Sequence, residues 1–212
     1  TDSCGVIEGG PPDVLDDEGT SHFSVIDSNG MTVACTQTIN GTFGSLLAVP
    51  EIGVILNNEM NDFSVKPNTT NQFDLIGREA NAIAPRKRML SSMSPTIVSK
   101  DGVPVLVTGS PGGSTIITTT LQVILNVVDH EMSLEDAVSF PRFHHQWKPD
   151  RIIHEAYAFS PDTLRALEKM GHVGFFPWPY GRGIGDANSV LMKDGTLHGV
   201  KDPRAEGVAV GF

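Results

Sequence analysis

The chain has 212 residues, 39% of them hydrophobic, which is enough for one sizeable core and makes a single domain the default. Its 25 acidic against 15 basic side chains give a formal charge of −10, which argues against a nucleic-acid or anionic-membrane surface. Two cysteines, Cys4 and Cys35, are too few for a disulfide framework, and no apolar run approaches the length needed to cross a bilayer, the best candidate being "LQVILNVV". No basic-then-apolar signal segment opens the chain, and it starts without Met, as a piece of something larger would.

Residues 1–19, "TDSCGVIEGGPPDVLDDEG", combine Gly-Gly, Pro-Pro and an acidic cluster without a sustained period, which is linker composition. The globular part, residues 20–212, is expected to begin at Thr20 with two strand-like runs, "SHFSVID" and "MTVACTQTI". A two-residue Asn-Gly turn between them would mix the faces. A three-residue loop over Ser28, Asn29 and Gly30 instead pairs Val25 with Val33 and Phe23 with Cys35 on one apolar face. The same register sets His22 opposite Thr36 and Thr20 opposite Thr38 on the other face. Further strands are predicted at "GVILNNEM" and through "TIVSKDGVPVLVTGS", with turns at Asn57-Asn58 and Asp101-Gly102, and residues 68–77 read as a mobile surface loop. Helices are predicted in "STIITTTLQVILNVVDHEM" and in "SPDTLRALEKMG", the second with Ser160 as N-cap, Pro161 at the first helical position and Gly171 as terminator. Strands return after it, with a hairpin at Asp194-Gly195. Strands, helices, then strands indicate an α+β sandwich rather than a parallel α/β fold.

Thr20 bears on the chemistry. A threonine hydroxyl is a weak nucleophile that needs a base, and a cut between Gly19 and Thr20 would give it one, its own α-amine. Taken alone it is more simply a threonine at a strand edge, but Thr38 opposite it and Asn40 two residues later could orient it. Gly112 and Gly113 stand immediately before a helix, where backbone N–H groups can face a developing oxyanion. Ser91 and Ser92 in "LSSMSPT" could hold a carboxylate, and Glu59 and Asp62 in "NNEMNDF" could accept from an ammonium group, although each pair is also unremarkable on a wet surface. The histidines of "PRFHHQW" do not have a metal-ligand spacing, so neither a metal nor another cofactor is expected.

Taken in order, "TSHFSVID", "TQTIN", "ILNNEMNDFS", "PRKRMLSSMSPTIV", "VTGSPGGSTIITT", "PRFHHQW" and "DPR" closely resemble the small subunit of γ-glutamyltransferases, or glutathione hydrolases, from Thr20 to the end of the chain. The resemblance implies the αββα fold of N-terminal-nucleophile hydrolases, a precursor that cuts itself before Thr20, and γ-glutamyl transfer or hydrolysis through an ester on that threonine. By motif, Thr20 matches the nucleophile, and Thr38 and Asn40 its neighbours. Glu59 and Asp62 match the residues that bind the substrate α-amine, Ser91 and Ser92 those that bind its α-carboxylate, and the backbone of Gly112 and Gly113 the oxyanion hole. It further implies a large subunit from the same precursor that supplies a carboxylate-binding Arg, an amino acid, peptide or water as acceptor, and a periplasmic or extracellular location. Residues 1–19 still precede Thr20, and the Arg has no counterpart here, so this chain alone is expected to be inactive. Two rival readings are a related acylase for glutaryl β-lactam or polyglutamate substrates, and an inactive relative that only binds or assembles.

Overall fold

The structure, a computed structural model, describes residues 19–179 and 183–211. Apart from Gly19, the predicted linker and Cys4 lie outside the described residues. Strands β1 (Thr20–Ile26) and β2 (Thr32–Thr38) form an antiparallel hairpin in the register of the three-residue loop, with Phe23 opposite Cys35 and Thr20 opposite Thr38. Local chemistry sets that register. The Asp27 carboxylate accepts from the backbone N–H of Asn29 and Met31, both at 2.8 Å, and Gly30 takes the left-handed conformation, φ 83°, that closes the loop. The face that turns inward is the unexpected one. Thr20 and His22 are buried, whereas Phe23, Val25 and Val33 of the apolar face are 46%, 47% and 42% exposed.

Strands β3 (Ala48–Val49) and β4 (Val54–Ile55) make a short ribbon. The predicted strand "GVILNNEM" continues only that far. The Asn57 side chain accepts from the Glu59 N–H at 3.0 Å and turns the chain into a 3-10 helix, Glu59–Asp62, because a local side-chain bond competes with the ladder. Residues 68–77 close on themselves: Asn68 N donates to Gly77 O at 2.8 Å, Thr70 bridges Ile76, and the Asn71 side-chain Oδ1 accepts from the Phe73 and Leu75 N–H groups. Phe73 is thereby tucked inward, 8% exposed.

Strands β5 (Thr96–Lys100) and β6 (Val103–Thr108) join at Asp101 and Gly102, with φ 53° and 81°, as a tight hairpin turn requires. A 3-10 turn, Gly113–Thr115, leads into α1 (Ile116–Val128). This helix forms despite its β-branched content because Ile116, Thr119, Thr120 and Val123 make one buried stripe at helical spacing. Helix α2 (Leu134–Ser139) follows, capped by the Ser133 hydroxyl accepting from Asp136 N at 3.1 Å. Strands β7 (Phe143–His144) and β8 (Ile152–His154) then precede α3 (Pro161–Lys169), which has the predicted Ser160 cap and Gly171 at φ 97°. Strand β9 (Phe175–Pro177) returns parallel to β8, and β10 (Ser189–Lys193) and β11 (Thr196–Val200) form the Asp194-Gly195 hairpin.

Layering follows from these pairings. Helices α1 and α2 cover one face of the sheet β11-β10-β6-β5, with Leu106, Val123, Leu134, Val138 and Ala187 as the core. The β1–β2 hairpin lies on its other face. There the Ser24 hydroxyl donates to Asn188 O at 2.8 Å, and the His22 ring lies where a Cβ on Gly109 would meet it at 2.3 Å. Two β layers with helices outside one of them are the α+β sandwich expected, and the hairpin presents Thr20 at its open end.

A buried ion network braces this arrangement. Arg142, 2% exposed, donates to Ile184 O and Val138 O at 2.7 Å and to the Asp202 carboxylate, which is 0% exposed. Burial alone would raise the Asp202 pKa, but the guanidinium groups of Arg142 and Arg204 outweigh it and hold the group below its usual value. Arg204 in turn grips Glu155, whose carboxylate also accepts from the N–H of Arg142 and Ile184. Asp186 N donates to the Ser110 hydroxyl at 2.8 Å, which links the braced segment to the glycine stretch before α1.

Candidate active site

Thr20 is the first residue of β1 and 7% exposed. Its Oγ1 lies 2.8 Å from the Thr38 Oγ1, and the Asn40 N–H donates to the latter at 2.7 Å. A hydroxyl has two lone pairs and one proton, so Thr38 retains one of each for Thr20 and can accept from its hydroxyl or donate to its oxyanion. Asn40 is left-handed, φ 73°, a conformation asparagine tolerates, and its side chain donates to Asn58 O at 3.2 Å. Gly41 N donates to the Asn58 side chain at 2.9 Å, so the end of β2 is tied to the loop that carries Glu59 and Asp62. Immediately before Thr20, the Gly19 carbonyl accepts from Ile39 N at 3.1 Å.

These groups surround a cavity of about 10 Å³, room for a single water. Seven of the nine candidate residues line it: Thr20, Thr38, Asn40, Glu59, Asp62, Ser92 and Gly113. Ser91 and Gly112 do not. Ser91 is exposed and its hydroxyl accepts from Met93 N at 3.2 Å, while Gly112, at φ 133°, accepts from Thr115 N through its carbonyl. Gly113 has φ 53°, and a Cβ on it would lie 2.8 Å from the Phe73 ring, so the loop needs glycine there. The remaining walls, Phe73, Met93 and Ile116, were not foreseen from sequence. A single aromatic in the polar stretch 68–77 was the available signal for Phe73.

The electrostatics favour a cation as ligand. Two carboxylates and no basic side chain face the cavity among the described residues. Burial raises the Asp62 pKa, opposed by a hydrogen bond with Glu59. His22, on the same face as Thr20, is not positioned as its base. Ser24 donates to Asn188 O and so accepts from His22 Nε2 at 3.0 Å, which leaves Nδ1 to accept from the Thr36 hydroxyl at 2.8 Å. Burial pushes the His22 pKa down to about 4, so the ring is neutral at pH 7. The histidines weighed as metal ligands have separate partners: His144 bonds Thr118 and Gln146, His145 bonds Asp150, and His154 the Glu155 carbonyl.

Comparison with known proteins gives the family and the fold. The family model for Gamma-glutamyltranspeptidase matches residues 6–212. The chain is 49% identical over 187 residues to the glutathione hydrolase proenzyme of Escherichia coli (strain K12), covering 88% of this chain and 31% of that protein. Among solved structures, a mutant of Helicobacter pylori gamma-glutamyltranspeptidase superposes with a TM-score of 0.81 at 47% identity, over 87% of this chain and 99% of that one. An acivicin-inhibited gamma-glutamyltranspeptidase, whose C-terminus has critical roles in autoprocessing and catalysis, gives 0.81 at 46%, over 88% and 99%. The chain thus spans about a third of the Escherichia coli relative's length and nearly the whole of those crystallised chains. A sandwich of the N-terminal-nucleophile hydrolase type, a threonine at the open end of its hairpin and a family match over nearly all of the sequence lead to one conclusion: the chain belongs to the gamma-glutamyltranspeptidase family.

Proposed function

We propose that the full-length protein containing this chain transfers or hydrolyses γ-glutamyl groups of glutathione and related compounds through an ester on Thr20. The observation that carries the reading is the Thr20 hydroxyl, 2.8 Å from that of Thr38, on a cavity with Glu59, Asp62 and, among the described residues, no basic side chain. In processing, Thr20 Oγ1 attacks the Gly19 carbonyl carbon, whose oxygen already accepts from Ile39 N. Hydrolysis of the resulting ester releases residues 1–19 with everything before them and leaves the Thr20 α-amine free. That amine then takes the hydroxyl proton as Oγ1 attacks the γ-carbonyl of the substrate, and returns it to the leaving amine. Asp62 and Glu59 hold the substrate α-ammonium, Ser92 with Ser91 its α-carboxylate, and the backbone at Gly112 and Gly113 the oxyanion. Thr38 restrains the nucleophile, and Asn40 anchors Thr38.

Space for about one water does not admit a glutamyl group, so Phe73 or Met93 must move when substrate enters. The partner is the large subunit cut from the same precursor, which supplies the Arg for the substrate carboxylate, and the matured enzyme acts in the periplasm or outside the cell. Intact mass of the purified full-length protein tests the reading. The wild type should give two fragments divided at Gly19–Thr20, and Thr20→Ala one. A Thr20→Ala protein cut at the same bond refutes it.

A further inference from the structure

We infer that Asn81 is a positioning residue for the γ-glutamyl donor: it fixes the distance between Asp62, which holds the α-ammonium, and Ser91 and Ser92, which hold the α-carboxylate. This rests on the Thr20 reading and on those assignments. In the donor the ammonium and the carboxylate stand on one carbon, so the two grips act together only at one fixed separation. They come from segments far apart in sequence, and no ladder aligns them. Glu59–Asp62 is a 3-10 helix, and Ser91 and Ser92 lie outside the strands.

One side chain joins them. Asn81 ends a second 3-10 helix, Glu79–Asn81, and does not itself line the cavity at Thr20. Its Nδ2 donates to the backbone carbonyl of Asp62 at 2.7 Å, and its Oδ1 accepts from the N–H of Leu90, directly before Ser91, at 3.0 Å. The arrangement needs a donor toward one segment and an acceptor toward the other, and a planar amide supplies both from one short side chain. The backbone of Asn81 is held in turn. Its carbonyl accepts from Ser64 N at 2.9 Å, and its N–H donates to Arg78 O at 3.0 Å. Lys87 Nζ donates to the carbonyls of Ala80 and Ala82, on either side of Asn81, at 2.8 and 2.9 Å. With its own backbone pinned, the side chain is a spacer of set length between two segments that both reach the cavity, through Asp62 and Ser92.

Hydrolysis of γ-glutamyl-p-nitroanilide by the matured full-length enzyme tests this. Asn81→Ala removes both ties. Asn81→Asp, equal in shape, keeps the acceptor for Leu90 N and loses the donor to Asp62, and it serves where the alanine variant does not fold. In each, KM should rise about 10-fold or more while kcat stays within about 3-fold of the wild type. Self-cutting before Thr20 involves no α-ammonium or α-carboxylate, so its half-life by intact mass should also stay within about 3-fold. In an Asp62→Asn background, where one grip is already weakened, Asn81→Ala should lower kcat/KM only about 3-fold or less. An unchanged KM overturns the inference, and so do equal effects of Asn81→Ala in the two backgrounds. Losses in kcat and self-cutting that match the rise in KM, or failure of both variants to mature, overturn it as well, because either makes Asn81 a structural residue only. A wild type that releases no nitroaniline refutes the Thr20 reading, and this inference with it. Normal release by the wild type with any of the other adverse outcomes refutes the inference alone.

Discussion

Thr38→Val removes one oxygen and keeps the β-branched shape, so it isolates the contact on which the Thr20 argument depends. The lost Oγ1 has two partners, the Thr20 hydroxyl at 2.8 Å and the N–H of Asn40 at 2.7 Å, and Asn40 is only 6% exposed. Leaving a buried donor unpaired costs about 1 to 3 kcal/mol, which is the expected loss of folding stability. Removing the bond to the nucleophile should cost a similar amount in the transition state, about 1 to 3 kcal/mol, or a rate roughly 5- to 150-fold lower. On the proposed mechanism processing and turnover use the same oxygen, so both should slow together. The first is read as the half-life of the uncut chain by intact mass, the second as nitroaniline release per cut molecule. Thr38→Ser, which keeps the hydroxyl, should stay close to wild type in both. Normal rates in Thr38→Val, or slow turnover with normal processing, would refute the claim that Thr38 acts through the Thr20 oxygen.

Asp62→Asn should raise KM for the donor about 10- to 150-fold, the loss of one charge-assisted hydrogen bond to an ammonium, and an unchanged KM in steady-state kinetics would remove Asp62 from the site. His22 makes stability pH-dependent. Its folded pKa, about 4, lies below the ordinary 6.5, so its contribution is complete above pH 6.5 and is lost as the pH falls toward 4, amounting to about 3 kcal/mol. Urea midpoints measured between pH 7 and 4 should therefore fall less in His22→Gln than in the wild type, and parallel slopes would argue against a buried neutral imidazole.

Turn chemistry made much of this fold legible. Asp101-Gly102 and Asp194-Gly195 form hairpins because both residues of each pair take positive φ, a preference carried by the residue types themselves. The Ser28-Asn29-Gly30 loop likewise set the register that places Thr20 opposite Thr38, and the Ser160, Pro161 and Gly171 signals bounded α3. Helix α2 went unread although Ser133 followed by Asp136 is a capping signal, because its six residues are too few to show a period. The turn at Glu59–Asp62 was hidden by the β-forming residues just before it. Least legible were the contacts between distant segments. Nothing local in "PRFHHQW" or "DPR" says that Arg142 and Asp202, 60 residues apart, meet in the interior, nor that Phe73 leaves a polar loop to wall the cavity at Thr20. For the same reason the apolar face of the hairpin was visible, but not that it turns outward, since that depends on which surface covers it.

That outward face also bears on the history of the molecule. If the large subunit proposed above covers Phe23, Val25 and Val33, an uncut precursor holds that cover on the same chain, at an effective concentration in the millimolar range. On that reading the proposed cut before Thr20 removes the tether while leaving the contact. Maturation is then a one-way step: what folded as one chain can be rebuilt from its parts only as a bimolecular assembly, with the strand that carries the nucleophile exposing its greasy side while it waits. Regain of activity after dilution from denaturant should accordingly depend on protein concentration for the cut enzyme, whereas regain of native fluorescence by the Thr20→Ala precursor should not, and concentration-independent recovery of both would show that this face needs no second chain.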